Sequence, residues 1–386
     1  MEKFSNKILI CLIPIICGFT AANMYYVQPL APVISSELMV SYEKASMLYS
    51  FSLAGNALSL FFIIPLGDFY NNRKLITLLY LVSTVSLLIF FITKSYYVLS
   101  VTAFLIGTGT SAIPLITAGL SRQKDGTRYI GRIMAGVLTG ILFSRFLSSM
   151  FSELWGWKSI YAIATMLMFL SCILLFITYP ESDNKNNQYK NSYDHILFLN
   201  INGIMQNATI RYYCFNAFVI MFLFSAFWSN ISMFLTATFH FSQSQVGLFS
   251  LTGVTGASSA LFSSWILKTI NYKNNPLYCL IVASLLVMGI YGSNFVITIT
   301  GALLIDAFIQ LIHVNNQRGL FLSSQGNEAR AASCYMTSFV TGGAVGGFIS
   351  SYLYSISGWS VVLISCAIIT LIPMFMKLRE NVNEQY

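Results

Sequence analysis

Twelve apolar runs, each about long enough to cross a bilayer, leave this 386-residue chain few ways to fold. A helix rising 1.5 Å per residue needs about 20 apolar residues to cross a hydrocarbon layer of about 30 Å. The runs lie near residues 8–34, 43–67, 74–93, 96–120, 129–152 and 157–179, then 210–236, 245–268, 276–293, 296–321, 332–354 and 358–377. Only 9% of residues are charged, 56% are apolar, and mean hydropathy is +0.70. A soluble protein carries about a quarter charged residues, so lipid must be the solvent for most of this surface. The expected class is an all-α membrane protein. The first run follows Lys3 and Lys7, as a secretion signal would. It nevertheless continues from Ile8 to about Val27 with no small-x-small cleavage site, and is expected to be retained.

The net charge of +8 could point to nucleic acid, but its placement points elsewhere. With both termini on one side, Lys44, Lys94 and Lys158 face the other side and Arg145 falls within a span. The remaining 17 of the 21 basic residues share the side of the termini. By the positive-inside rule that side is expected to be cytoplasmic. The basic balance is then a topology signal, with no nucleic-acid partner implied. The seven cysteines all sit inside apolar runs without metal-ligand spacing, as small hydrophobes do.

A polar stretch rich in Asn, residues 181–207, separates six runs from six and reads as a linker between half-domains 1–180 and 208–386. Residues 121–159 laid on 323–361, a constant shift of 202, agree at 11 of 39 positions, including Gln123/Gln325, Arg128/Arg330, Thr139/Thr341, Gly140/Gly342, Gly156/Gly358 and Trp157/Trp359. Six spans separate the copies, so both cross the membrane in the same sense. Parallel halves related by an axis along the membrane normal are a transporter architecture, and they favour alternating access.

Helices in lipid approach closely through small residues. Four-residue spacing puts Gly136, Gly140, Ser144 and Ser148 on one face of the fifth span, and Ser338, Gly342, Gly346 and Ser350 on the eleventh. The eighth offers Thr252, Gly256, Ala260 and Ser264. These stripes are expected to be the surfaces on which the halves rock.

Two charges lie well inside spans, Arg145 in the fifth and Asp306 in the tenth. Each costs on the order of 2.5–3.5 kcal/mol to bury on insertion scales, so each needs a partner or a wet cavity. Arg145 is matched in the repeat by Gly347, so symmetry does not require it. It reads either as a gating or anion-facing charge, or as the partner of a helix-end carbonyl or carboxylate. Asp306, near the midplane, reads as a proton-exchanging or substrate-binding carboxylate, or as half of a structural ion pair. Gln310 and His313 follow it at helical spacing; His313 lies nearer the cytoplasmic end, where a satisfied structural histidine is the simpler reading. In the first span Asn23, Tyr26 and Gln28 precede Pro29 and Pro32, and the seventh carries Trp228 before Ser229 and Asn230. Asn23 and Gln28 must find partners inside the protein, and with Tyr26, Trp228, Gln310 and His313 they are the candidates to line a substrate cavity.

Together these residues resemble the major facilitator superfamily, and within it bacterial drug/proton antiporters. The resemblance rests on Ala21 through Leu30, then Pro65-Leu66-Gly67-Asp68 with Arg73-Lys74, Gly140 to Arg145, Gly156-Trp157, Phe227-Trp228, Asp306, Gln310, Arg330, Gly342-Gly343 and Gly358-Trp359. It implies a cytoplasmic latch at Gly67, Asp68, Arg73, Lys74, Arg128 and Arg330, with Phe69 and Asn71 or Asn72 standing where Arg and Gly are usual. It also implies a central cavity lined by the first, fourth, seventh and tenth spans. The fourth span lacks a charge, so coupling would fall on Asp306.

The expected function is proton-coupled export of a small organic compound across the bacterial cytoplasmic membrane, by a monomer with no cofactor beyond the proton gradient. No nucleotide-binding loop is present in the sequence. An importer or uniporter of a metabolite or siderophore is the rival within transport. A membrane-embedded enzyme would want clustered carboxylates or a His/Asp pair, and the three histidines stand far apart. A non-transporting sensor would keep the fold and lose the flux.

Overall fold

The computed structural model describes residues 2–121, 126–179, 207–324 and 328–383; nearly all are helical and none is in a strand. The side chains of Asp68 and Arg128, and the expected linker apart from Asn207, lie outside the described residues.

Glu2–Ala22 and Val27–Leu38 form the first span, Tyr42–Phe62 the second and Asn72–Ile92 the third. Tyr96–Thr110 with Ala112–Ser121 is the fourth, Gly126–Trp155 the fifth and Ser159–Thr178 the sixth. Ala208–Phe239 is the seventh, Gln243–Ser250 through Ser263–Thr269 the eighth, Asn275–Tyr291 the ninth and Phe295–Ser323 the tenth. Glu328–Asn383 runs through the eleventh and twelfth, divided at Gly358. Among the described residues, eight helices are long and apolar enough to cross a bilayer, one of them (Arg330–Met376) long enough for two passes; the eighth span joins them as a pair bent by 72°.

The interruptions have local causes. Pro29 has no N–H to offer the carbonyl of Tyr25, four residues back. Tyr25 O accepts instead from Gln28 N at 3.2 Å, Ala22 O accepts from Tyr25 N at 2.9 Å, and the helix gives way to a turn over residues 23–26. Between the fifth and sixth spans, and again between the eleventh and twelfth, the chain turns at Gly156 (φ 82°) and Gly358 (φ 76°). A side chain is strained in that left-handed region, so glycine is required in both copies. The tryptophans that follow are buried: Trp157 Nε1 donates to Glu37 Oε2 at 2.7 Å, and Trp359 stacks on Phe234 at 4.7 Å.

One hydrophobic cluster draws on residues 13–179 with only Met221, Val340 and Ala344 from further along, and a second on residues 219–367. The glycine stripes pack inside these halves, which corrects the expectation that they face the seam. A Cβ on Gly136 would overlap Pro14 O, and one on Gly140 would overlap Gly18 O, both in the first span. Gly342 and Gly346 press in the same way on the carbonyls of Phe218 and Phe222 in the seventh. Gly256 faces Asp306 of the tenth. Removing the side chain lets two backbones meet, and the pairs that meet are fixed partners within each half.

The seam between the halves is built of serines. Hydrogen bonds that cross it gather between the middle of the spans and their ends away from the termini, a half called here the far side. Tyr42 Oη and Ser46 Oγ both donate to Ser229 O, at 2.6 and 3.2 Å, and Ser351 Oγ donates to Ser46 Oγ at 2.8 Å. Gln243 Nε2 reaches Pro29 O at 2.7 Å, and Glu153 accepts from Ser244 N at the start of the eighth span. Ser232 Oγ donates to Gln28 O at 3.1 Å. That carbonyl is free because its helical partner would be residue 32, a proline.

Candidate functional site

Four side chains from four spans converge at one depth. Gln28 and Arg145 lie ten residues from the far ends of the first and fifth spans; Trp228 and Asp306 lie eleven from those of the seventh and tenth. At 1.5 Å per residue this is about 15–17 Å, the middle of a hydrocarbon layer about 30 Å thick.

Arg145 is 2% exposed. Its Nε donates to Gln28 Oε1 at 2.6 Å. The guanidinium also lies against three rings: Trp228 at 4.2 Å from Cζ to centroid, Phe224 at 5.1 Å and Tyr25 at 5.3 Å. Cation–π contacts contribute about 0.5–2 kcal/mol each. Three of them with a charge-assisted hydrogen bond offset an insertion cost of about 2.5–3.5 kcal/mol, so the cation is stable without a carboxylate in contact.

Asp306 is 7% exposed, and Trp228 Nε1 donates to its Oδ1 at 2.9 Å. Its Oδ2 turns to the eighth span, where a Cβ on Gly256 would lie 2.7 Å away and one on Gly253 3.4 Å. The Gly253 position also lies 3.7 Å from Arg145 Nη1. Arg145 and Asp306 therefore feel each other's charge without a direct ion pair within 4.0 Å. Both touch the same indole.

Beside Arg145 is a cavity of about 10 Å³, lined by Gln28, Trp228, Ser232 and Ser250 among others. It has room for about one water. Gln28 Nε2 and Arg145 Nη2 are buried with no hydrogen-bond acceptor among the described residues, and the amide nitrogen and oxygen of Asn23 likewise have no partner there.

Several expected cavity residues are placed elsewhere. Tyr26 packs edge-on against Tyr161, 6.0 Å between centroids, in the core of the first half. His313 lies beside Phe339 at 4.5 Å, with Tyr335 Oη 3.0 Å from its Nδ1 and Gln317 3.3 Å from its Nε2. It ties the tenth span to the eleventh, as a structural histidine does. Gln310, half-buried, has no hydrogen bond to another described residue. The charge at the centre comes from the fifth span rather than the fourth, whose Ser111 Oγ donates to Thr108 O of its own span at 2.6 Å. At the end near the termini, a Cβ on Gly67 would lie 2.7 Å from Leu115 Cδ2. Arg73 donates to Phe176 O and lies 5.1 Å from that ring, so it fastens the third span to the sixth. Lys74 and Arg330 are exposed.

Two bundles closed over a polar centre at mid-membrane depth describe a secondary transporter. The family model for the Major Facilitator Superfamily matches residues 15–323 and 213–384, and the chain belongs to that family. It is 28% identical over 375 residues to the uncharacterized transporter YgaY of Escherichia coli O157:H7, covering 95% of this chain and 94% of the relative. It is 23% identical over 246 residues to the inner membrane transport protein YnfM of Escherichia coli K12, covering 62% and 58%. Among solved structures, a bacterial homolog of the human lysosomal transporter Spinster, inward-facing and unoccupied, superposes with a TM-score of 0.77 at 10% identity, over 96% of this chain and 95% of that one. The nucleoside transporter NupG superposes with 0.77 at 12% identity, over 96% and 99%. This chain is thus a multi-pass membrane transporter for a small molecule, and not an enzyme.

Proposed function

We propose that the protein is a proton-coupled exporter of a small organic compound, of the drug/proton-antiporter kind, working as a monomer in the bacterial cytoplasmic membrane with both termini inside. The observation that carries this reading is Asp306. Among the described residues it is the one carboxylate at mid-membrane depth. It is buried, it has an indole N–H as hydrogen-bond donor, and among the described residues it has no cation within 4.0 Å. A carboxylate so placed is costly when charged and uncompensated, and taking up a proton relieves that cost.

The far-side seam is closed in this arrangement, and in the proposed orientation that is the side away from the cytoplasm. The proton gradient is the energy source, with no further cofactor. Arg145 holds the gate at mid-membrane depth, and it is the group toward which an anionic part of a substrate would be drawn. Gly67 and Arg73 brace the cytoplasmic ends of the first half.

The test is proton movement in vesicles carrying an internal pH dye, with a panel of anionic, cationic and neutral compounds added to the wild type and to Asp306→Asn. Compound-dependent proton flux that the substitution abolishes is the expected result. Compound movement with no proton flux, unchanged by the substitution, would leave a uniporter and overturn the coupling.

A further inference from the structure

Far-side hydrogen bonds fasten one end of the seam; at mid-membrane depth the halves meet through a different chain of contacts. On the first-half side, Arg145 Nε donates to Gln28 Oε1 at 2.6 Å. On the second-half side, Trp228 Nε1 donates to Asp306 Oδ1 at 2.9 Å. The Trp228 ring joins the two pairs, its centroid 4.2 Å from Arg145 Cζ. The edge of one indole is thus committed to the carboxylate and its face to the cation. Trp228 is itself 2% exposed, too enclosed to serve as a substrate-facing surface in this state.

The geometry points to Trp228 as the positioning residue that carries the protonation state of Asp306 to Arg145, and through Arg145 to the first half. This rests on Asp306 being the proton carrier. An indole can only donate. Toward an ionised carboxylate its hydrogen bond is charge-assisted and roughly twice as strong as toward a neutral acceptor. Hydronium gives up one O–H bond, leaving neutral water, as an O–H bond forms at Asp306 Oδ2, which faces Gly253 and Gly256; no bond of the protein is broken. The acceptor at Oδ1 weakens, and the negative charge that attracts Arg145 disappears. The ring cannot leave Asp306 without moving the guanidinium that rests on it. The Gln28–Arg145–Trp228–Asp306 chain therefore loosens as a unit.

Asp306 is faced by the charge of Arg145 from the fifth span and by the indole from the seventh, while the eighth presents glycines; Arg145 in turn is faced by Tyr25 and Tyr49. Arg145 stays charged over the working range of a carboxylate, and a tyrosine ordinarily titrates near pH 10. Asp306 is left as the group that changes charge.

The experiment needs no transported compound. Spin labels at positions 39 and 355, exposed at the far ends of the first and eleventh spans, report the opening of that side in the full-length protein in lipid nanodiscs. Titrated between about pH 5 and 9, the parent is expected to change its ratio of open to closed at least about tenfold. Trp228→Phe keeps the ring face and removes the N–H, and should flatten that response to under about twofold, as should Asp306→Asn. Replacing Trp228 by its benzothiophene analogue, which exchanges N–H for sulfur at nearly constant shape, should flatten it too and guards against a packing defect in the phenylalanine variant. A full pH response in either ring variant, with Asp306→Asn flat, overturns the role of Trp228 and leaves Asp306 as the carrier. A full response in Asp306→Asn overturns the reading of Asp306 itself.

Discussion

Gly347→Val should hold the far side open. Gly347 is the position that the internal repeat pairs with Arg145, and it faces across the seam. A Cβ there would overlap Ser50 Oγ of the second span, and would lie 3.2 Å from Ser225 Oγ and 3.5 Å from Ser229 Oγ of the seventh. All three serines are buried, so no hydroxyl can swing into solvent to make room. Overpacking typically costs about 1–3 kcal/mol. Valine places three carbons where three oxygens already converge, so about 2–3 kcal/mol is the reasonable part of that range. Ser50 belongs to the first half and Gly347 to the second, so this cost falls mainly on the closed arrangement. The equilibrium should therefore move toward far-side opening by roughly 30- to 150-fold. The assay is oxidative cross-linking of Ser46→Cys with Ser351→Cys in a cysteine-free background, since the native hydroxyls are 2.8 Å apart. Gly347→Val should slow cross-linking by about the same factor, and Ser50→Gly added to it should restore most of the rate. Cross-linking at the parent rate, or no rescue by Ser50→Gly, would refute the steric argument.

Other substitutions separate the roles of neighbouring groups. Gly140→Ala meets the carbonyl of Gly18 within one half, so it should cost about 1–3 kcal/mol in thermal unfolding of the detergent-solubilised protein while leaving the far-side cross-link unchanged. Arg145→Lys keeps the charge but loses the planar group that both stacks on Trp228 and donates to Gln28; it should lower the transport rate in vesicles about tenfold or more, and wild-type flux would show that charge alone suffices. Gly256→Ala would put a Cβ 2.7 Å from Asp306 Oδ2, and is expected to impair proton flux in the pH-dye assay more than it lowers unfolding temperature.

The spans were legible because length and hydropathy are local properties, and the Gly-Trp turns because a residue at positive φ followed by a large anchor leaves a mark in sequence. The breaks were less so. Pro29 sits inside a run that reads as continuous, and its effect falls a turn earlier, over residues 23–26. At the centre, Gln28, Arg145, Trp228 and Asp306 each stood out as polar or amphipathic groups where lipid penalises them. Their arrangement did not, because period and spacing say which face of a helix a residue occupies and nothing of which helix that face meets. The glycine stripes show the same limit: their spacing announced close packing, and the partner turned out to be a sister helix rather than the opposite half. Tyr26 was read toward a cavity for want of any sign that Tyr161 would cover it. Gly347 entered the reading only as the place where Arg145 has no counterpart, and three serines distant in sequence give it its meaning.

The acceptors of the far-side seam are mostly main-chain oxygens, at Gln28, Pro29 and Ser229. Side-chain replacement cannot delete a carbonyl, so genetic change can act on those bonds only through the donors, one hydroxyl or amide at a time. Each such loss is worth about 0.5–1.5 kcal/mol, a small fraction of what a deleted core side chain costs. A lineage can therefore adjust how long the far-side door stays shut in fine increments, and in either direction, without rebuilding either bundle.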